Sequence, residues 1–305
     1  MKNGTLWRDV EGKPIQAHGG MILKHHGLFY WYGENKDAPN CPDRRRVDII
    51  GVSCYSSTNL VDWNYEGLVL KATPEDESSI LHPRNVLERP KVIFNEKTQR
   101  FVLWFHADSP DYSYAGVGVA VSDSPTGPFC MVKVMQPNRQ DSRDMTVFRD
   151  VDGRAYLFHS SNFNKTMYIS ALNEDYTDVT GVYSPVMADQ TREAPAPFCR
   201  DGVYYMITSG CTGWSPNAAL YAVSDNVFSG WRLIDNPCVG PNFRKTFGGQ
   251  STYVFETGGV WYLMLDHWHP DDLRNSGYSI LPISFTDNGI EVRWTDEFNG
   301  IQHRA

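Results

Sequence analysis

The sequence predicts an all-β fold, a five-bladed β-propeller, and three observations predict it. A weak internal repeat of about 50 residues runs along the chain, a period typical of propellers. Each repeat is built from short β-branched and aromatic runs joined by turns such as Asp-Gly and Gly-Gly, which read as hairpins. No amphipathic helical stretch lies between the repeats, which fits radial repetition around a central channel. A two-sheet sandwich also consists of short strands, but it would not repeat its sequence five times.

The first unit starts at Gly19-Gly20-Met21-Ile22-Leu23, turns at His26-Gly27 and continues through Leu28-Phe29-Tyr30-Trp31-Tyr32 and Gly51-Val52-Ser53-Cys54 to Asp62-Trp63. The second runs from Arg89-Pro90-Lys91-Val92 through Phe101-Val102-Leu103-Trp104-Phe105 to Gly118-Val119-Ala120-Val121. The third runs from Met145-Thr146-Val147-Phe148 through the Asp152-Gly153 turn to Ala155-Tyr156-Leu157-Phe158. Ala196-Pro197-Phe198, Asp201-Gly202, Val203-Tyr204-Tyr205 and Leu220-Tyr221-Ala222 make the fourth. Ser251-Thr252-Tyr253-Val254-Phe255, Gly258-Gly259 and Val260-Trp261-Tyr262 make the fifth. No Pro/Ser-rich linker interrupts the series, so one domain is expected over residues 1–305, with the segments before Ala17 and after Glu291 closing the ring or crossing its rim.

Hydrophobic content of 41% with 21% charged residues suits a globular chain. The aromatic content of 13% suits sugar-ring faces, and equally suits strands. A formal charge of -8 argues against nucleic acid as a partner, and no phosphate-binding glycine motif is present. Arg44-Arg45-Arg46 reads as a solvated loop or a pocket rim. No apolar run approaches the ~18 residues that span a bilayer, so no membrane partner is expected. Met1-Lys2-Asn3-Gly4-Thr5 lacks a signal-peptide core, which implies a cytoplasmic chain or a removed leader. The six cysteines include no CxxC pair; most read as buried small hydrophobes, with Cys199 and Cys211 the one pair placed to bridge neighbouring strands.

In a propeller the first residues of each innermost strand emerge at one mouth of the channel. The repeat starts here are His18, Glu88, Asp144, Glu193 and Gln250. Polar groups stand where β-propensity favours Val or Ile, and a carboxylate entering a buried strand costs free energy unless it is paired or functional. One such residue would be read as a strand cap or a salt bridge, as Glu88 with Arg89. Three carboxylates at equivalent positions point to a shared pocket. Glycosidic cleavage requires such a set: a protonated acid for the leaving oxygen, and a second group for water or carbon. Crowded carboxylates in a partly dry site acquire divergent pKa values.

Ala17-His18-Gly19-Gly20, Tyr32-Gly33-Glu34-Asn35-Lys36, Glu88-Arg89-Pro90-Lys91 and Arg143-Asp144-Met145 form an ordered series with Arg192-Glu193-Ala194-Pro195, Thr212-Gly213-Trp214, Gly249-Gln250-Ser251-Thr252 and Asp266-His267-Trp268. From about Ala17 to Pro282 this series resembles glycoside hydrolase family 43, and within it the exo-β-1,3-galactanase branch. Most of that family opens its first blade with an Asp general base, whereas this chain has Ala17-His18 there. The branch is similar in lacking that Asp and in carrying a Gln on the fifth blade, here Gln250.

The resemblance implies Glu193 as general acid, Asp144 as the carboxylate that tunes and orients it, and Gln250 as holder of the attacking water. An amide is a weak base, so either an unusual tautomer of Gln250 or Glu88 takes the proton. Glu34 and Glu88 would accept hydrogen bonds from sugar hydroxyls, with Tyr114, Thr212, Trp214 and Asn217 completing a galactose-sized subsite. Trp214 lies in a Gly/Pro-containing loop, which suits an exposed platform as well as ordinary packing. His18 reads as a pocket-floor residue, and His267 and His269 alone do not make a metal site. No cofactor is required; some relatives carry a structural calcium on the axis, so a calcium ion is admitted here. The expected partner is an oligo- or polysaccharide, the expected state a monomer, and the location, by family habit, secreted or periplasmic. An α-L-arabinofuranosidase or β-xylosidase on the same scaffold, and a non-catalytic sugar-binding propeller, are the alternatives.

Overall fold

Five sheets, antiparallel but for one short edge pairing in the fifth, follow one another along the chain in this computed structural model, which describes residues 1–301. The turns that separate their strands are those the dipeptides prescribe. His26-Gly27, Asp201-Gly202 and Gly258-Gly259 each hold two successive positive φ angles, which let a two-residue loop follow the twist of its strands.

The innermost strands are His18–His25, Val86–Asn95, Met145–Arg149, Arg192–Arg200 and Gln250–Thr257 in blades one to five. Each packs on the next around the axis, and the fifth packs on the first, so the sheets close into a propeller. The second strands, among them Leu28–Glu34, Arg100–Asp108 and Val260–His267, carry the side chains that fill the spaces between blades. Trp31, Trp63 and Trp104 are fully buried there.

Each blade also has an outer strand that the repeat does not reveal. Asn64–Lys71 and Val179–Val186 are largely solvent-facing, and in blade four the outer strand shrinks to Arg232–Leu233. An edge strand with one wet face carries little hydrophobic pattern, which is why it escapes a sequence reading. Blade five gains a further strand, Cys238–Val239, paired in parallel with Gly289–Arg293.

The terminal segments seal the junction between blades five and one. The Met1 amine donates to the Phe298 carbonyl (2.7 Å), Thr5 bridges to Tyr278, and Trp7 packs edge-on against Trp31 at 5.9 Å. Tyr278 reaches back across this seam, donating to the Ile15 carbonyl (2.9 Å) and accepting from the Ala17 amide (3.0 Å).

Two local expectations are corrected. All six cysteines are free thiols, Cys199 and Cys211 included, and only Cys54 and Cys238 are buried. Arg46 is no solvated loop residue: its guanidinium is buried and donates to the carbonyls of Asn85 (2.7 Å) and Arg84 (2.6 Å). Backbone acceptors in the adjoining loop make that burial tolerable.

Blade one depends on a close backbone approach. A Cβ on Gly20 would fall 1.8 Å from the Tyr32 carbonyl oxygen. Gly20→Ala should therefore lower the melting temperature, by the equivalent of at least ~1–3 kcal/mol for overpacking. Thermal unfolding followed by circular dichroism checks this; an unchanged transition would mean the two strands can separate without cost.

Candidate active site

The polar repeat starts are delivered to one mouth by a bulge repeated at the head of the inner strands. Pairing slips between His18 and Met21, between Glu88 and Lys91, and between Glu193 and Ala196. In each slip the residue after the polar one has positive φ: Gly19 at 58°, Arg89 at 54° and Ala194 at 52°. Bulges re-aim side chains and release an amide from the ladder. Each released amide finds a carboxylate on the preceding blade of the ring. Gly19 donates to Asp266 (3.1 Å), Arg89 to Glu34 (3.1 Å) and Ala194 to Asp144 (3.0 Å). Three strained turns thus become three amide–carboxylate clasps between blades.

Above these clasps lies a cavity of about 230 Å³ lined by Glu34, Lys36, Glu88, Arg89, Tyr112, Asp144, Glu193, Gly213, Trp214, Gln250 and Trp268. It is small beside the ~300–1,000 Å³ of drug-sized sites and suits one sugar unit at a time. A larger cavity of about 370 Å³ opens at the opposite mouth, but its lining of Phe94, Phe148, Phe198 and Trp261 holds none of the converging repeat starts.

Burial pushes the Glu193 carboxyl up to about 7, and the neighbouring Asp144 charge adds to the rise. At neutral pH this group retains much of its proton. Its Oε1 accepts from Gln250 Nε2 (3.0 Å), and Asn164 Nδ2 approaches Oε2 at 3.5 Å. Asp144 is gripped at both oxygens by the Arg89 guanidinium (3.0 and 2.8 Å).

Gln250 is fully engaged. Its Nε2 also donates to Ser209 Oγ (2.9 Å), while its Oε1 accepts from Arg89 (2.7 Å) and from the Trp268 indole (2.9 Å). The amide is thereby fixed in one orientation.

Glu88 presents a different environment. Burial would raise its pKa, but hydrogen bonding and charge from His106 (3.2 Å), with the Tyr112 hydroxyl (2.7 Å), bring it down to about 2. His106 lies between Glu88 and Asp108 (3.0 Å); burial opposes its charge, yet the two carboxylates raise it to about 9. Glu34 is buried and its carboxyl raised chiefly by burial, with Oε1 on the Arg89 amide and Oε2 on Lys36 Nζ (2.6 Å).

The structure brings Glu34, Glu88, Asp144, Glu193, Trp214 and Gln250 to this one cavity. Tyr114 lies outside it; Tyr112, two residues earlier, points in instead. Thr212 and Asn217 brace the loop that carries Trp214: Asn217 clamps Gly210 through its amide (2.7 and 2.8 Å) and donates to Thr212 Oγ1 (2.7 Å). His18 is wholly buried below, beside Gln16 (3.1 Å) and Tyr278 (3.2 Å). His267 binds Ser279 Oγ (2.7 Å), and among the described residues no cluster of three His, Cys, Asp or Glu is placed to hold a metal.

Sequence reasoning weighed Arg89 only as a salt-bridge partner of Glu88, whereas its guanidinium pairs with Asp144, and it assigned no role to Lys36, His106, Tyr112 or Trp268. Arg89, Lys36 and Trp268 stand inside the motifs that carried the resemblance. The signal available for Arg89 was a guanidinium one residue after a repeat start.

Residues 16–290 match the family model described as glycosyl hydrolases family 43. Among solved structures, a family-43 β-1,3-galactosidase, BT3683, with galactodeoxynojirimycin is 38% identical, with a TM-score of 0.93 over 98% of this chain and 100% of that one. An exo-β-1,3-galactanase from Clostridium thermocellum is 34% identical, with a TM-score of 0.87 over 99% of this chain and 68% of that one. A curated relative, the β-D-galactofuranosidase xynD of Aspergillus niger, is 22% identical over 264 residues, 78% of this chain and 76% of that protein.

Proposed function

Because the chain belongs to glycosyl hydrolases family 43 and is a glycoside hydrolase, we propose that it releases galactose from the non-reducing end of β-1,3-galactan with inversion. The observation that carries the reading is the pairing of Glu193, its carboxyl near 7, with Gln250 fixed on the fifth blade, while the inner strand of the first blade starts at His18 and not at a carboxylate. The galactan-acting structural relatives support the choice of sugar.

In this reading Glu193 protonates the departing glycosidic oxygen, and Asp144 keeps that proton in place by its negative charge. The attacking water is held by Gln250, which exchanges its Nε2 bond to Ser209 for one to the water while Arg89 and Trp268 set its orientation. The proton the water loses is taken by the nitrogen of Gln250 in its imidic-acid tautomer, whose hydroxyl proton then leaves to solvent and restores the amide. Glu88 is a weak proton acceptor, since His106 and Tyr112 already engage both its oxygens and hold its pKa near 2. Its ionised oxygens serve better as acceptors for sugar hydroxyls. The Trp214 and Trp268 rings, edge to face at 5.3 Å, supply apolar surface for the sugar.

The test is incubation with β-1,3-galactan and with aryl arabinofuranosides and xylosides, following products by NMR. Galactose appearing first as the α anomer is expected. Initial β-galactose would overturn inversion, and turnover of the arabinofuranoside or xyloside alone would move the enzyme to the other branch. The pH dependence has a definite sign: the acid must be protonated, so kcat/KM should fall as pH rises through about 7, the value set by burial of Glu193. A rate that stays level from pH 6 to 9 would remove Glu193 as the acid.

A further inference from the structure

The calcium ion that some relatives of this fold hold on the propeller axis would stand among the oxygens beneath the cavity, and the residues present there do not fit it. We infer that the Arg89 guanidinium and the Lys91 amine take over that ion's place, so that this propeller is held together on its axis by groups of its own chain.

Arg89 leaves the inner strand of blade two and binds Asp144 of blade three (3.0 and 2.8 Å), together with Gln250 Oε1 (2.7 Å) and the Ser251 carbonyl (3.3 Å) of blade five. Blades two and five are not neighbours in the ring, so the guanidinium crosses the channel. Lys91, two residues on, has no exposed surface and donates to the Gly19 carbonyl of blade one (2.5 Å) and to the Arg89 carbonyl (3.4 Å). Between them the two side chains tie four of the five blades.

A calcium ion takes six to eight oxygens at about 2.3–2.6 Å. The inward oxygens here are already committed to donors. Asp144 serves Arg89 and the Ala194 amide, Glu34 serves Lys36 and the Arg89 amide, and Asp266 serves the Gly19 amide. The Gly19 and Ser251 carbonyls serve Lys91 and Arg89. A divalent ion would have to displace these donors and then sit against a guanidinium that cannot lose its charge. Desolvation draws the Lys91 amine down to about 7, yet it donates hydrogen bonds in either protonation state.

Thermal stability tests this without reference to the catalytic reading. The protein is stripped with EDTA, dialysed, and melted with and without millimolar calcium, with bound metal counted by elemental mass spectrometry. An unchanged melting temperature and no retained calcium are expected; stoichiometric calcium, or a rise of several degrees on its addition, would overturn the inference. Lys91→Met, which keeps the length of the side chain and removes its donor, should melt well below the wild type. A variant as stable as the wild type would show that Lys91 bears no part of the axis. Should that variant fail to fold, the calcium and EDTA arms on the wild type decide alone.

Discussion

Glu193→Gln should lower kcat on β-1,3-galactobiose by roughly 10²–10⁴-fold, the contribution of a positioned general acid. The substitution keeps the shape of the side chain and its place beside Gln250, so the change falls on proton donation. Sugar as a leaving group requires a proton on the glycosidic oxygen, whereas a nitrophenolate departs with little help. The loss on an aryl β-galactoside should therefore be much smaller than on the disaccharide. Parallel kinetics on the two substrates, with circular dichroism to confirm folding, provide the measurement. Equal losses on both would mean that Glu193 orients the sugar and does not donate the proton. The fall in rate above pH 7 should vanish in the variant together with the group that causes it.

Arg89→Met should cost more in stability than any other single change at the site. The guanidinium satisfies both oxygens of Asp144, whose side chain is 15% exposed, and contributes to fixing Gln250. Removing one partner of a buried ion pair leaves an uncompensated charge, at a cost of about 3–5 kcal/mol. For a chain of this size that corresponds to a melting temperature lower by on the order of 10 °C. Arg89→Lys should recover little, because one ammonium cannot make the paired contacts to Asp144 and reach blade five as well. Calorimetric melting of both variants tests the point; a fully stable Arg89→Met protein would place the weight of the axis elsewhere. Turnover should fall with stability, since Asp144, Gln250 and Glu193 are positioned through the same guanidinium.

The fold was legible because the blades repeat their turns and aromatic second strands, and because Glu88, Asp144, Glu193 and Gln250 interrupt strands where apolar residues pack best. Strands of one wet face, such as Asn64–Lys71 and Arg232–Leu233, left no comparable pattern. The candidate site was legible at the same four residues for the same reason. Tyr112 was not, because its approach depends on a positive φ of 59° in an irregular loop, where neither periodicity nor spacing says which of two nearby tyrosines faces inward. His106 and Lys91 were hidden by their neighbours: each alternates with apolar residues along a buried strand, and only the carboxylates and carbonyls supplied by other blades give them a charge or a bond to make. Cys199 and Cys211 show the reverse failure, in which residues of suitable spacing in sequence remain separate thiols.

The meeting of Trp214 and Trp268 at the cavity has an optical consequence. One indole donates to Gln250 and the other rides on a loop braced by Asn217, so an arriving ligand must alter the surroundings of both chromophores. Among the remaining tryptophans, Trp31, Trp63 and Trp104 are sealed between blades, and none of the others lines this cavity, so together they give a steady background emission. Intrinsic fluorescence is therefore a label-free gauge of occupancy, suited to titrating galactose or an iminosugar into the Glu193→Gln protein, where turnover no longer clouds the reading.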